Sequence, residues 1–290
     1  MDARDGPFDR RLRRLRRDRA ARTVDADYLH RRAAAELGER LDLVTRRFER
    51  ALDLGCGTGA MGDLLAARGI ATISADAGAA FAAAARGVQC DEDALPFADG
   101  AFDLVVSVGA LDTVNDLPGA LTLIRRTLRP DGLFLAAFAG AGGLPVLRGA
   151  LRAAEEAESL PPAPRLHPQI DVRAAGDLLT RAGFALPVVD REEVAVRFPD
   201  LGRLVADLRG MTATNILAER SRRPFGRLGY TAAAASFAGA ADVDGRTAER
   251  FEILYLSGWA PAPEQPRPAR RGSGAVSLAD ALKPKPPTAG

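Results

Sequence analysis

The sequence has few cysteines and histidines and no long apolar run, each of which would have indicated a particular kind of protein. Only Cys56 and Cys90 are cysteines among its 290 residues, and their spacing fits neither a zinc site nor a disulfide framework, which indicates a reducing compartment. The only histidines are His30 and His167. No apolar run is long enough to cross a bilayer, so we predict no transmembrane segment.

An excess of charge of one sign is also missing. The 40 basic residues nearly balance the 38 acidic ones and leave a formal net charge of +2. Because proteins that bind nucleic acid usually carry a marked basic excess, we expect no nucleic-acid partner. The Arg-rich N-terminus also contains acidic residues, which transit peptides avoid; we therefore read no targeting segment there and expect a cytoplasmic location.

What the sequence does contain is a glycine turn between a predicted strand and a predicted helix. Residues 51–59 read Ala-Leu-Asp-Leu-Gly-Cys-Gly-Thr-Gly, and helical periodicity begins at Ala60. Gly55, Gly57 and Gly59 tolerate positive φ and allow a ligand to approach backbone N–H groups at the start of the helix. This arrangement predicts a ligand site at the turn.

Two kinds of ligand compete for this turn. Gly57, Gly59 and Gly62 match the Gly-x-Gly-x-x-Gly pattern of nicotinamide-dinucleotide sites. However, Asp53 at the end of the first strand would repel a pyrophosphate, and it suits a cationic group such as the ammonium of an amino acid. The stretch therefore resembles motif I of class I S-adenosyl-L-methionine (SAM) methyltransferases more than a nicotinamide site.

Acidic positions further along the chain agree with a SAM site. The next predicted strand, over 70–75, ends at Asp76, where an acid meets ribose hydroxyls in nucleotide-binding folds. In the methyltransferase pattern, the first acid of the loop that contains Asp91 and Glu92 bonds the adenine amino group. Val108 follows the fourth strand, at the carboxyl edge where ligands of open α/β sheets bind. The predicted cofactor-binding residues are Asp53, Gly55, Gly57, Gly59, Asp76, Asp91, Glu92 and Val108.

The order of predicted elements indicates an α/β fold with a Rossmann-like, doubly wound sheet. Five strands alternate with helices, and the apolar run 251–259 is expected to be the antiparallel strand that completes a seven-stranded sheet. Residues 184–189 and 194–198 each predict a strand, while 211–244 has no clear pattern. We divide the chain into N-terminal basic and amphipathic helices (1–48), a methyltransferase-like domain (49–260) with insertions or a lid at 141–172 and 199–250, and a Pro-rich tail (261–290) with a possible short helix at 277–282.

The first predicted helix, over 8–22, is strongly basic. Phe8, Leu12 and Leu15 form a thin apolar stripe, and arginines fill most other positions. Docking near the ligand site, peripheral contact with an anionic membrane and binding of an acidic partner all fit this pattern. We favour docking, because the stripe is too thin for strong membrane insertion.

Taken together, the motifs resemble the complex I assembly factor 5 family of methyltransferase-fold proteins. They include Phe8-Asp-Arg10, Leu52-Asp-Leu-Gly-Cys-Gly57, Val114-Asn-Asp-Leu-Pro118, Asp207-Leu-Arg-Gly-Met211 and Gly258-Trp259. The resemblance implies a cytosolic bacterial relative that binds SAM and has a protein partner, in this family a complex I subunit. The mitochondrial member is regarded as a protein arginine hydroxylase, and more distant relatives methylate the malonyl group on acyl carrier protein.

Two departures from the family pattern lie by the expected substrate mouth. Asp112-Thr113 stands where family members carry His-Trp, and Gly140-Ala-Gly-Gly143 stands where they carry Gly-Gly-Asp-Thr. Ligand binding can persist through such changes while the activity drifts or is lost.

Three functions remain open from the sequence. The favoured one is methyl transfer from SAM to a small molecule, an acyl carrier or a protein, which needs mainly alignment of donor and acceptor. Asp112 is a weak catalytic candidate, because an exposed loop aspartate is the favoured interpretation. Arginine hydroxylation would need His30 and His167 to converge on iron, which we do not expect, so no metal site is predicted. The third function is that of a non-catalytic assembly protein.

Overall fold

The computed structural model describes residues 6–23, 26–265 and 277, and one sheet organises them. The helices are α1 (Arg10–Ala20), α2 (Tyr28–Asp42), α3 (Ala60–Ala67), α4 (Ala79–Ala84), α5 (Leu117–Thr127), α6 (Pro145–Ala157), α7 (Val172–Arg181), α8 (Leu201–Gly210) and α9 (Arg227–Ala238). The strands are β1 (Arg50–Leu54), β2 (Ala71–Asp76), β3 (Val88–Gln89), β4 (Phe102–Val108), β5 (Leu128–Ala139), β6 (Ala185–Phe198) and β7 (Thr247–Trp259).

The seven strands form a single sheet in the order β3-β2-β1-β4-β5-β7-β6. Strands β1 to β5 run parallel, and β7 lies antiparallel between β5 and β6. This confirms the predicted doubly wound α/β fold and its antiparallel last strand. The order reverses between β1 and β4, and the crevice at their carboxyl ends is where such sheets bind ligands.

The core lies on both faces of the central strands, which explains their continuous apolar sequences. Leu52 and Val105 contribute to the cluster on one face, whereas Leu104 and Val106 contribute to the cluster on the other. Helices α2 and α3 cover the second face with side chains such as Leu37, which is fully buried. The sheet therefore holds the loop after β1 and the loop after β4 at fixed positions.

A third apolar cluster joins α6, α8 and α9 to the end of the sheet. It includes the buried residues Leu147, Leu204 and Phe237. Helix α9 lies within the segment 211–244, for which the sequence showed no clear pattern. Its run of alanines gives no distinct apolar stripe, so helical periodicity is hard to detect there.

Strand β6 differs from the prediction of two short strands. It is one strand of 14 residues that pairs with β7 from Val188 opposite Ser257 to Phe198 opposite Thr247. The charged residues Arg191 to Glu193 interrupt the apolar pattern, but β6 is the edge strand of the sheet. Charged side chains are tolerated there and discourage pairing with another chain.

No helix in the described ranges is long and apolar enough to cross a membrane. Most of the predicted Pro-rich tail, including all but one residue of the possible helix at 277–282, lies outside the described residues.

Candidate cofactor and acceptor site

The glycine turn after β1 has the backbone conformation that the sequence predicted. Gly55, Gly57 and Gly59 have φ values of +76°, +50° and +86°. The Gly55 N–H donates to the Ala75 carbonyl oxygen at 2.7 Å, which anchors the turn to β2. A Cβ atom on Gly55 would lie 2.3 Å from the Cβ of Ala110, so only glycine lets the loops after β1 and β4 approach this closely.

Asp53 is a buried carboxylate at this turn that lacks a full set of partners. It is 1% exposed, and its Oδ2 atom has no hydrogen-bond partner. Burial, and then the negative charge of Asp76, raise the pKa of Asp53 to about 7, although the Gly62 N–H lowers it in part. Asp53 and the glycine turn line a cavity of about 30 Å³. An unpaired buried carboxylate beside a small cavity fits a ligand ammonium.

Asp76 is fully buried at the end of β2, but its carboxylate is already occupied. Arg17 donates to both oxygens, from Nε to Oδ1 at 2.7 Å and from Nη2 to Oδ2 at 2.5 Å. The N–H groups of Gly57 and Gly78 donate to it as well, at 3.0 and 2.7 Å. Burial alone would raise the pKa of Asp76, but the Arg17 charge and these four bonds hold it below its ordinary value.

The same pattern extends along the whole of α1. Four arginines on one side of the helix, here called the arginine row, pair with four acids, here called the acidic edge. The row consists of Arg10, Arg13, Arg14 and Arg17, and their respective partners on the edge are Asp93, Glu92, Asp91 and Asp76. The predicted ribose and adenine acids are therefore all engaged by α1 in this structure.

Docking of the basic helix near the ligand site, which the sequence favoured, is confirmed. Arg13 and Arg17 are only 5% and 4% exposed. A membrane or an acidic partner would not account for these buried ion pairs. The i, i+3, i+4, i+7 spacing of the row was the available signal, because it places all four side chains on one helix face.

A second, larger cavity of about 120 Å³ adjoins the first. The two share lining residues at the end of β4 and on α2 and the segment after α8: His30, Val108, Gly109 and Thr212. Val108 thus lies at the junction of the two cavities. The lining of the larger cavity is mostly apolar, with Asp112, His167 and Glu252 among its polar members. We call it the acceptor cavity.

The interpretation of Asp112 as an exposed loop aspartate is wrong. It lies in a short 3-10 turn, Leu111–Thr113, beneath α1, and Arg13 Nε donates to Thr113 Oγ1 at 3.0 Å. The Asp112 Oδ1 atom is buried without a hydrogen-bond partner. Burial raises the pKa of Asp112 above its ordinary value, while the positive charges of Arg13 and Arg17 oppose that shift.

The two histidines converge on the acceptor cavity, which the sequence did not lead us to expect. Burial, reinforced by the charge of Arg17, lowers the pKa of His30 to about 4. Burial also lowers the pKa of His167 to about 4, and its Nε2 accepts a hydrogen bond from the Ile216 N–H at 3.1 Å. Within the described residues, no group of three or more His, Cys, Asp or Glu side chains is placed to hold a metal ion.

Comparison with known proteins identifies relatives along almost the whole chain. Residues 52–136 match a family model described as a methyltransferase domain. The chain is 36% identical to the mitochondrial arginine-hydroxylase NDUFAF5 of Danio rerio, over 95% of this chain and 89% of that protein. It is also 36% identical to NDUFAF5 of Homo sapiens, over 94% and 82% respectively. A malonyl-[acyl-carrier protein] O-methyltransferase of Laribacter hongkongensis is 33% identical, over 88% and 89%.

Solved structures agree with the fold. The YcgJ protein of Bacillus subtilis superposes with a TM-score of 0.55 at 15% identity, covering 80% of this chain and 99% of that one. A protein of Bacillus halodurans superposes with a TM-score of 0.53 at 16% identity, covering 79% and 100%. The resemblance stated from the motifs is thus confirmed: the chain belongs to the family of the arginine-hydroxylase NDUFAF5 and has the fold of the SAM-dependent methyltransferases.

Proposed function

We propose that this protein is a SAM-dependent methyltransferase that acts on a group held in the acceptor cavity. The observation that carries the proposal is Asp53, a buried carboxylate with an unpaired oxygen beside a strand–glycine–helix turn. When bound, SAM supplies a methyl group on a sulfonium, and its amino-acid ammonium is the cation that this carboxylate suits. The methyltransferase-domain match over 52–136 supports the same function.

The cofactor residues are proposed as follows. Asp53 binds the ammonium. The methionine part lies against the glycine turn, whose lack of side chains allows the close approach, because the N–H groups of its three glycines are already bonded within the protein. Asp76 binds the ribose hydroxyls, and Asp91 and Glu92 bind the adenine side. The methyl group is proposed to lie at the junction of the two cavities, because Val108 lines both of them. Alignment of donor and acceptor across this junction would supply much of the rate.

Arginine hydroxylation is the second candidate, and one observation favours it. Asp112 and Glu252 both line the acceptor cavity, and carboxyl groups suit a guanidinium. Relatives named arginine-hydroxylase share a third of the sequence. An oxygen-activating centre would be required, however, and methyl transfer needs no further group beyond SAM. The acceptor is therefore a small molecule, an acyl carrier or a protein, and by family resemblance the protein partner is a complex I subunit.

Labelled SAM separates these functions. The purified protein is incubated with SAM labelled in the methyl group and with a bacterial cell extract. Transfer of label to an extract component supports methyl transfer. An oxidised arginine peptide without transferred label would support hydroxylation instead, and SAM binding with neither product would support a non-catalytic assembly role. Asp53→Asn is the matched negative control, because it removes the proposed ammonium contact and leaves the turn intact.

A further inference from the structure

His30 occupies the one place where the two cavities meet. Its side chain lines both of them, together with Val108, Gly109 and Thr212. Its Nε2 atom lies 2.4 Å from where a Cβ on Gly109 would stand, so the glycine allows the ring to pack against the loop after β4. Gly109 has φ +65°, and its N–H donates to the Ala137 carbonyl oxygen at 2.8 Å. The imidazole is thus held at the boundary of the proposed donor and acceptor sites.

Neither ring nitrogen of His30 hydrogen-bonds to another described residue, in contrast to His167. The ring is neutral at pH 7, because burial and then the Arg17 charge lower its pKa to about 4, while Asp27 opposes this. Asp53 lines one of the two cavities that His30 shares, and Asp112, Glu252 and His167 line the other. A neutral imidazole has one nitrogen lone pair that can accept a proton.

We infer that His30 is the catalytic base of the proposed methyl transfer, and that the acceptor is a neutral amine or hydroxyl. As the acceptor's lone pair bonds to the methyl carbon, the C–S bond breaks with both electrons going to sulfur. The acceptor's N–H or O–H proton passes to the free nitrogen of His30, which later releases it to water. This inference rests on the proposed function.

The charges of the acceptor cavity support a hydrogen-bond donor over a carboxylate. Asp112 has an unpaired buried oxygen there. Glu252 is already paired with Arg191 at 3.3 Å, and Arg165 is already paired with Glu155 at 2.6 Å, so neither adds a free charge. A carboxylate acceptor would meet the unpaired oxygen of Asp112 without a free arginine to balance it, and it would have no proton for His30 to take.

The test compares His30→Gln with Glu39→Gln, a control at an exposed position of the same helix that lines neither cavity. With labelled SAM and the extract, we expect His30→Gln to slow label transfer at least about 100-fold at saturating SAM. Glu39→Gln should stay within about twofold of wild type. Added imidazole should restore at least about tenfold in His30→Ala but should not speed the wild type, a rescue that a merely structural role would not give.

A second measurement does not depend on turnover. Because the chain has only two histidines, NMR resolves both C2–H signals, and S-adenosylhomocysteine should shift that of His30 more than that of His167. Label transfer by His30→Gln at the wild-type rate, or an unmoved His30 signal at saturation, would overturn this inference alone. No label transfer by the wild type would overturn both this inference and the proposed function.

A second, independent observation concerns the arginine row. Asp76 accepts four hydrogen bonds, which fill the acceptor capacity of a carboxylate, and two of them come from Arg17. Arg13 likewise donates to both oxygens of Glu92, at 2.7 and 2.8 Å. Ribose hydroxyls therefore reach Asp76 only if Arg17 withdraws.

We propose that α1 is an internal competitor for the adenosine half of the cofactor site. Its arginines occupy the acids that the adenosine half of SAM would bind, so the helix is displaced when SAM binds. The arginines neutralise acids that would otherwise lie buried and unpaired. The competition makes the measured affinity weaker than the site alone would give.

The test is calorimetric binding of SAM and S-adenosylhomocysteine to Arg17→Gln and to Arg11→Gln. Arg11 lies on the same helix and its substitution removes the same charge, but it is exposed and is not part of the arginine row. We expect Arg17→Gln to bind at least about fivefold more tightly and Arg11→Gln to stay within about twofold of wild type. Weaker or unchanged binding by Arg17→Gln would overturn the competition. No binding by any of the three proteins would instead overturn the proposed cofactor.

Hydrogen exchange of the wild-type protein tests the competition without a variant, so a folding defect in Arg17→Gln cannot affect the result. Saturation with S-adenosylhomocysteine should speed exchange of the α1 backbone amides at least about tenfold, because the helix leaves its acids. Exchange in α3, on the other side of the glycine turn, should slow or stay the same. Slower exchange in α1 would show that the helix is part of the bound site and would contradict the competition.

Discussion

At the scale of single residues, Asp53 destabilises the folded protein when it ionises but is suited to binding a ligand. Its pKa of about 7 lies above the ordinary 3.8, so the folded state holds the proton more tightly than the unfolded chain does. A group whose pKa is raised on folding stabilises the folded protein at low pH, and this stabilisation is lost as pH rises from about 4 to 7. A buried carboxylate retained at this cost is typical of a binding site.

Asp53→Asn should therefore stabilise the protein while weakening SAM binding. Above pH 7 the variant avoids ionising a buried group, and we expect its free energy of unfolding to rise by about 2–4 kcal/mol. Urea unfolding at pH 8 measures this, and calorimetry should show at least tenfold weaker SAM binding. The control is Asp63→Asn, an exposed change of the same charge on α3. A less stable Asp53→Asn protein at pH 8 would contradict the assignment.

The glycine turn and Asp53 could be predicted because all their information is local: a strand, three glycines and a helix start within nine residues. The burial of Asp112 could not, because it depends on α1, about one hundred residues away in the chain, covering its loop. The position of His30 is also a tertiary property, set by how α2 packs against Gly109. Sequence periodicity carries no information on either contact.

At the scale of elements, α1 is held by ion pairs more than by apolar contacts. Leu15 on this helix is 44% exposed, whereas Arg13 and Arg17 are buried. A buried ion pair contributes little net stability, yet loss of one partner leaves the other charge uncompensated. The docking of α1 is therefore specific but can be reversed, as a competitor for a cofactor site requires.

Arg13→Ala should destabilise the protein strongly, because Glu92 is 1% exposed and would lose both bonds from the guanidinium. We expect the free energy of unfolding to fall by about 3–5 kcal/mol. Arg11→Ala, at an exposed position on the same helix, should change it by less than about 0.5 kcal/mol. Urea denaturation followed by circular dichroism measures both. Equal stabilities for the two variants would show that the Arg13–Glu92 pair does not form.

The elements that the sequence predicted well are those with a strong local pattern, such as β2 and α3. Helix α9 was missed because it is rich in alanine and its burial comes from α6 and α8. Strand β6 was divided in two because its charged middle obscured an edge strand whose continuity comes from β7. In each case the deciding contacts are distant in the chain.

At the scale of the whole molecule, the sheet order brings three separate segments to one edge. The loops after β1 and β4 meet there because the strand order reverses between them, and α2 brings His30 to the same place. Two cavities that share this edge can hold a donor and an acceptor side by side. The fold thus brings both cavities to the edge of the sheet where the proposed methyl transfer would take place.

The same burial predicts how the stability of the molecule depends on pH. His30 and His167 have pKa values of about 4 in the folded protein, against 6.5 ordinarily. Between pH 4 and 6.5 the unfolded chain therefore binds more protons than the folded protein. The stability that the neutral histidines give is complete above pH 6.5 and is lost as pH falls toward 4. At pH 5 the loss is about 2 kcal/mol for each histidine.

The double variant His30→Gln/His167→Gln tests this pH dependence. What is compared is the change in the free energy of unfolding with pH, so a loss of packing that is the same at every pH does not affect the result. Asp53 titrates in both proteins and cancels in the comparison. Between pH 7.5 and 5, the free energy of unfolding of the wild type should fall by about 4 kcal/mol more than that of the double variant. Urea unfolding at four pH values measures the difference. Parallel curves would mean that both imidazoles charge as readily in the folded protein as in water, which would contradict the lowered pKa values of His30 and His167.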